Sequence, residues 1–457
     1  MNLLVKDKCF YKKMAVIAIP ISLQSMITIG VNMTDTVMVG KLGENSLSAT
    51  ALANQFVNIY QICCMGIAMR ASVLTSRFWG MQDITSLKKT ITLMLRLCIV
   101  LAVLFMLPTI LIPQLLMRMY TNDSAVIAQG VQYFKWMVYC YFLQGMTMTC
   151  TIVLRSVGQV NFPLFTSIGS FFVNILFNYM FIFGKLGVPR MEVEGAGVGT
   201  LIARVFEFSL ICGYFLFVDR KIGYRLKDLR MKCNSLIKDY VSISIPVFVS
   251  DSLLALGTSA VAMVMGRIGT GFVSANSITV VTQQLTTVII QGICHASCIM
   301  TGHTLGHGER EKAQQQAWTF LILGLVVGIL GGGLIKVLSR PIIGLYNITP
   351  ETAQIAGELM DAIAFIVIFQ SMNSILTKGV LRGGGDTKFL MVADIIFLWA
   401  ASLPLGILAG LVWHLDAFWI YVFLKIDQIC KSIWCVFRLR SGKWIKTFSK
   451  EKMNHAQ

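Results

Sequence analysis

Few side chains in this sequence have types and spacing that suit chemistry, and Asp35 stands first among them. Residues 14 to 34 before it contain no Lys, Arg, Asp or Glu, and the next cation along the chain is Lys41. A carboxylate at the end of such a run is expensive to ionise inside a bilayer. It therefore favours a bound proton, a hard cation such as sodium, or an organic cation. The alternative is a carboxylate solvated at the far interface. The 22 residues from Lys13 keep that open, since they span about 33 Å of helix at about 1.5 Å per residue.

Asn174 and Asn178 are one helical turn apart and so share a face. Two amides in an apolar helix must find partners, either in a neighbouring helix or in an ion site shared with Asp35. Arg204 and Glu207 are spaced i,i+3 and read first as an intrahelical ion pair. Later in the chain the acidic groups are Asp251, Asp361, Asp394 and Asp427. Asp394 is close enough to its helix start to face cytoplasmic water. Lys425 and Asp427 fall deeper in the last span, and Asp427 has Lys431 at i+4. We treat Asp251, Asp394, Lys425 and Asp427 as candidates for substrate or coupling roles, with structural pairing as the alternative for the Lys425, Asp427 and Lys431 group.

The elements that must position these groups are membrane helices. Of 457 residues, 56% are hydrophobic and 13% charged, whereas a soluble domain carries roughly a quarter charged residues. Uncharged runs recur at the length of the ~20 residues needed to cross ~30 Å of hydrocarbon. Twelve helices are expected, near 14–40, 48–76, 92–116, 131–153, 162–184, 195–218, 240–265, 272–301, 316–338, 358–380, 389–412 and 417–437. The net charge of +17 suggests no nucleic acid, because the Lys and Arg sit in short loops. With both termini cytoplasmic, the inside segments collect most of them, including the run from Arg220 to Lys238 and the tail from Arg438 to Lys452. The twelve cysteines read as small buried hydrophobes, since most lie in apolar runs without metal-ligand spacing.

The chain is also internally repeated. VMVGKLG (37–43) is echoed by VMGRIG (264–269), SRFWGMQD (76–83) by GHTLGHGE (302–309), and LRSVGQVNF (154–162) by LRGGGDTKF (381–389), all at an offset of 226 or 227 positions. The expected organisation is an N-terminal six-helix lobe (1–218), a basic cytoplasmic linker (219–239), a C-terminal six-helix lobe (240–437) and a basic tail (438–457). An even number of crossings per half relates the lobes by a pseudo-two-fold along the membrane normal. Pro20, Pro108, Pro246, Pro404 and Gly331 to Gly333 are positions where spans could kink.

TDTVMVGKLG (34–43), NILFNYMFIFG (174–184), GVGTLIARVFEF (197–208), LRGGGDT (381–387) and RLRSGKW (438–444) together resemble the multidrug and toxic compound extrusion (MATE) family, in order and over nearly the whole chain. The resemblance implies two lobes around a central cleft and alternating access. It further implies export of organic cations in exchange for protons or sodium. It places Asp35 and Thr200 at family site positions. Asn178 stands where many relatives have Asp, which leaves one carboxylate among neutral oxygens, a set that suits sodium. Some relatives use an acidic residue on the seventh span, where Asp251 lies, and another on the tenth, where none occurs around Ser371. The repeat offset takes Asp35 to Val261, so the second half has no twin of it.

The resulting expectation is a secondary antiporter in the plasma membrane of a bacterium, monomeric, with small organic cations and the bilayer as partners. No cofactor is expected beyond the coupling proton or sodium. The 25 Met and 28 Phe are compatible with an adaptable cleft for bulky cations, although both are ordinary lipid-facing residues. A flippase for a lipid-linked or zwitterionic substrate is the alternative, and several cations in the cavity would favour it. A membrane enzyme would need a clustered nucleophile or metal site. His295, His303 and His307 form only a loose set without HExxH. The glycine-rich loops lack the Lys-Ser/Thr ending of a phosphate loop.

Overall fold

The computed structural model describes residues 4–185, 187–231, 233, parts of 253–268, 269–344 and 349–446. Among them every regular element is helical, as hydrocarbon demands of a chain that must satisfy its own backbone. Among the described residues ten helices are long and apolar enough to cross a membrane. The chain runs through α1 (Lys8–Gly40), α2 (Glu44–Gly80), α3 (Ile84–Leu111), a short α4 (Pro113–Arg118), α5 (Ser124–Ser156), α6 (Asn161–Phe183) and α7 (Glu192–Gly213), which ends in a π turn. It continues through α8 (Leu256–Met265), α9 (Thr270–Gly306), α10 (Arg310–Ile343), α11 (Pro350–Ser374, prolonged by a π segment) and α12 (Thr387–Val412, with two π stretches). It ends in α13 (Ala417–Leu424) and α14 (Ile426–Arg440). The twelfth expected span is thus not one helix: it breaks at Lys425, which caps α13 and starts α14. The seventh is described only in part.

The helices fall into two compact units, Leu23–Tyr240 and Met1–Ser22 with Val241–Gln457. The helix α1 contributes to both, its residues passing from one to the other just after Pro20.

The backbone carries the repeat seen in the sequence. Gly43 (φ 117) and Gly269 (φ 159), Gln82 (φ 57) and Gly308 (φ 80), and Gly158 (φ 80) and Gly385 (φ 85) are left-handed at matching turns. That region costs a side-chain-bearing residue about 1–2 kcal/mol. Glycine holds five of these six positions and Gln82 the sixth. In the first unit Asp83 then caps α3, accepting from the Ser86 amide at 2.9 Å.

Small residues set how closely neighbouring helices approach. Along α10, Gly324, Gly328 and Gly332 recur every four residues and form one face against α11. A methyl at Gly328 would stand 2.8 Å from Ile368 Cα, and one at Gly332 would strike the Ala364 carbonyl. Of the glycines expected as a kink site, Gly332 lies in this groove and Gly331 packs against Thr286 of α9, and α10 runs unbroken. Only Gly333 of the three has nothing near it. In the other unit Gly195 and Gly199 do the same for α7 against α6.

The described residues of the basic segments after α7 and α14 are folded onto their units. Lys88 at the start of α3 pairs with Asp228 at 2.9 Å and donates to the Gly223 carbonyl at 2.6 Å. Partial burial pushes the Asp228 carboxyl up, but the Lys88 hydrogen bond, the Arg225 amide and both neighbouring positive charges outweigh it and hold the group below its ordinary value. In the second unit the buried Asp386 takes a two-pronged bond from Arg438 (2.7 and 3.2 Å) and pairs with Lys446 at 3.4 Å. Trp444 is fully buried there against Gly384 and donates to Gln314 Oε1 at 2.7 Å. The LRGGGDT and RLRSGKW motifs are thus two sides of one contact.

Candidate functional site

The first unit encloses a cavity of about 330 Å³ bordered by α1, α2, α5, α6 and α7. Asp35, Asn174 and Thr200 line it together, on three different helices. Asn178, fully buried beside them, donates from Nδ2 to Asp35 Oδ1 at 2.6 Å and to Asn174 Oδ1 at 3.3 Å. The four residues named from the sequence for the first half are therefore one cluster. Asp35 itself is half-buried on the cavity wall and enters no ion pair among the described residues.

The amide of Asn178 has one acceptor left over. Its Oδ1 is buried without a hydrogen-bond partner, against Gly199, where any Cβ would collide with it. An orphaned carbonyl oxygen in a dry interior costs roughly 1–3 kcal/mol. A carboxylate, two amide oxygens and a hydroxyl within one cluster make an all-oxygen donor set, the kind that holds a hard monovalent cation.

Arg204 and Glu207 also face this cavity and form an ion pair at 2.8 Å, with side chains 29% and 13% exposed. The intrahelical pairing expected of them is present, and it sits in the site. Towards its other end the cavity meets Ser167, which accepts from Gln24 Nε2 at 2.8 Å. Gln24 in turn accepts from Arg155 Nη2.

Helix α2 contributes residues beyond those expected from the sequence. Thr50, Asn54, Asn58 and Gln61 fall at positions i, i+4, i+8 and i+11 and present one polar stripe to the cavity. Tyr133 of α5 donates to Asn54 Oδ1 at 3.2 Å. The signal was available as polar periodicity inside a charge-free span.

The second-half candidates form a different centre. Lys431, 2% exposed, bridges Asp394 at 2.9 Å and Asp427 at 3.1 Å. Gln428 donates to Asp427 Oδ2 at 2.6 Å and accepts from Asn373 Nδ2 at 2.7 Å. Asp394 does not look out to cytoplasmic water as its position suggested, because Lys431 reaches it across from α14. Lys425 occupies the break between α13 and α14. Asp251 lies outside the described residues, and Asp361 pairs with Lys336 at 2.5 Å on an exposed surface. Among the described residues no group of three His, Cys, Asp or Glu could hold a metal.

Comparison with known proteins gives a consistent picture. The MatE family model matches residues 20–180 and 246–429. The uncharacterized transporter YisQ of Bacillus subtilis is 24% identical over 93% of this chain and 93% of its own length. A probable multidrug resistance protein NorM of Thermotoga maritima is 23% identical over 95% and 93%. Among solved structures, the Vibrio cholerae MATE transporter VcmN in the bent form superposes with a TM-score of 0.86 at 17% identity, covering 96% of this chain and 99% of that one.

Proposed function

Since the chain belongs to the MATE family of transporters, we propose that it is a secondary antiporter that exports organic cations in exchange for protons or sodium. The naming of relatives as multidrug resistance proteins supports efflux as the direction. The observation that carries the coupling reading is Asp35: a carboxylate without an ion pair among the described residues, held by Asn178 on the wall of a polar cavity.

Exchange follows from competition for one negative charge. An ion shifts a transporter between its states only by binding one of them more tightly. Asp35 with a bound cation is neutral; without one it carries a charge that the bilayer disfavours. A proton or sodium arriving at Asp35 displaces a cationic substrate, and the reverse step reloads it. For sodium, half a turn of the Asn178 amide exchanges its donor for the orphaned acceptor, and the oxygens of Asn174 and Thr200 complete the set. With the one carboxylate of this cluster, no second acid relays the proton.

The flippase alternative called for several cations in the cavity. This cavity has Arg204, already paired with Glu207, which favours cation exchange. The distribution of Lys and Arg supports a cytoplasmic position for both termini. The deciding experiment uses proteoliposomes loaded with sodium-22 or a pH dye. Ion flux triggered by adding organic cations under an imposed sodium or proton gradient supports antiport, and flux with no cation under either gradient overturns it.

A further inference from the structure

The cavity in the first unit is lined differently from a pocket for lipophilic drugs, whose walls are mostly apolar and aromatic with a few polar anchors. Its aromatic and thioether side chains are Tyr133, Phe171 and Met137, and the Tyr133 hydroxyl is already committed to Asn54. Polar side chains, amides and Ser/Thr hydroxyls in equal share, outnumber apolar ones around the cavity. Asn32 of α1, Asn58 and Gln61 of α2 and Gln144 of α5 all border the cavity. Among the described residues none of these four side chains has a hydrogen-bond partner, and none of their polar atoms is among the buried unsatisfied ones. Each amide offers two N–H donors and one acceptor to whatever fills the space.

These free amides set the cost of an occupant. A hydrophilic molecule replaces water at the amides with its own hydroxyl or amide groups, so little is lost. A lipophilic cation displaces that water and leaves the donors unpaired. Sites built to hydrogen-bond a substrate reject analogues lacking the polar group by as much as about 10⁴-fold. Aromatic faces that would attract a lipophilic cation are scarce. The charge pattern supplies the other half of the specification: Arg204 is neutralised by Glu207, which leaves Asp35 as the carboxylate available to a positive group.

We propose that the substrate of this cavity is a small hydrophilic amine, with its ammonium group at Asp35 and its hydroxyl or amide groups on the Asn58 and Gln61 stripe. This rests on the antiport reading and names its substrate class. The test uses the full-length protein in proteoliposomes under the gradient that supports coupling. The probes are glucosamine and glycinamide as hydrophilic amines, tetraphenylphosphonium and ethidium as lipophilic cations, and N-acetylglucosamine as a neutral polyol. The expected result is ion flux with the hydrophilic amines at least about tenfold above that with the lipophilic pair, and none with N-acetylglucosamine.

Replacing Asn58→Leu together with Gln61→Leu should shrink or reverse that ratio. Asn58 is exposed, so the change does not disturb packing there, and an unchanged melting temperature of the detergent-purified variant confirms that it folds. A ratio left intact in the folded variant removes the stripe from recognition and overturns the proposal. Flux with the lipophilic pair alone overturns this proposal and leaves antiport standing. Flux with none of the probes sinks both.

Discussion

At the scale of single residues, Asp35 and Lys431 show two uses of buried charge. Asp35 has a neutral amide at 2.6 Å and no ion pair among the described residues, so its charge is not taken up by a partner side chain there. Asp35→Asn should reduce gradient-driven transport by at least about tenfold, equivalent to about 1.4 kcal/mol of lost coupling, while the level of inserted protein stays normal. Transport and membrane yield measured side by side check this. Lys431 is tied to Asp394 and Asp427, so its charge is consumed in structure. Lys431→Met leaves two carboxylates facing each other and should destabilise the fold by about 3–5 kcal/mol. A melting curve in detergent reads the loss, and adding Asp427→Asn should recover part of it. Asp35 was legible in the sequence because a long charge-free run precedes it. The Asn58 and Gln61 stripe was legible only as polar periodicity without a role, since amides in a span serve helix contacts as readily as cavities.

Elements are positioned here by what is missing from side chains. Gly328 lets α10 lie on the backbone of α11, with a hypothetical Cβ 2.8 Å from Ile368 Cα, whereas Gly333 on another face has nothing within 4 Å. Gly328→Ala should therefore cost about 1–3 kcal/mol as overpacking, and Gly333→Ala should leave the melting temperature unchanged. Equal effects of the two would remove the packing-groove account. Span number and order were readable from apolar run lengths. The break at Lys425 was not: the residues on either side are apolar enough to continue a helix, and the interruption shows only in the backbone, where α13 ends and α14 begins.

Over the whole molecule the repeat is a repeat of backbone more than of chemistry. The left-handed turns recur at Gly43 and Gly269, and at Gly158 and Gly385. Arg204 and Lys431, 227 positions apart like Gly158 and Gly385, are each neutralised by carboxylates. Asp35, however, has Val261 as its counterpart, and that residue is 4% exposed. The segment after α7 contributes to stability in a way that pH exposes. Asp228, held low by Lys88 and Arg225 against partial burial, stabilises the fold fully above its unfolded value of about 4, and the contribution is lost as pH falls through the lower folded value. Asp228→Asn should therefore melt below the parent at pH 7, with the difference shrinking as pH falls below the unfolded value and vanishing only below the folded one. The sequence by itself determined the class, the repeat and the membrane helices, because hydrocarbon imposes length and apolarity on every span. It also marked Asp35, because a lone charge in such a span stands out. Only the tertiary structure decided that Asn174, Asn178 and Thr200 gather round Asp35, that four free amides share its cavity, and that Lys431 closes on Asp394 as well as Asp427. Those outcomes depend on which face each helix turns to its neighbours, and helix rotation is set by packing, such as the glycine contacts of α7 on α6, that a one-dimensional pattern of polar residues does not specify.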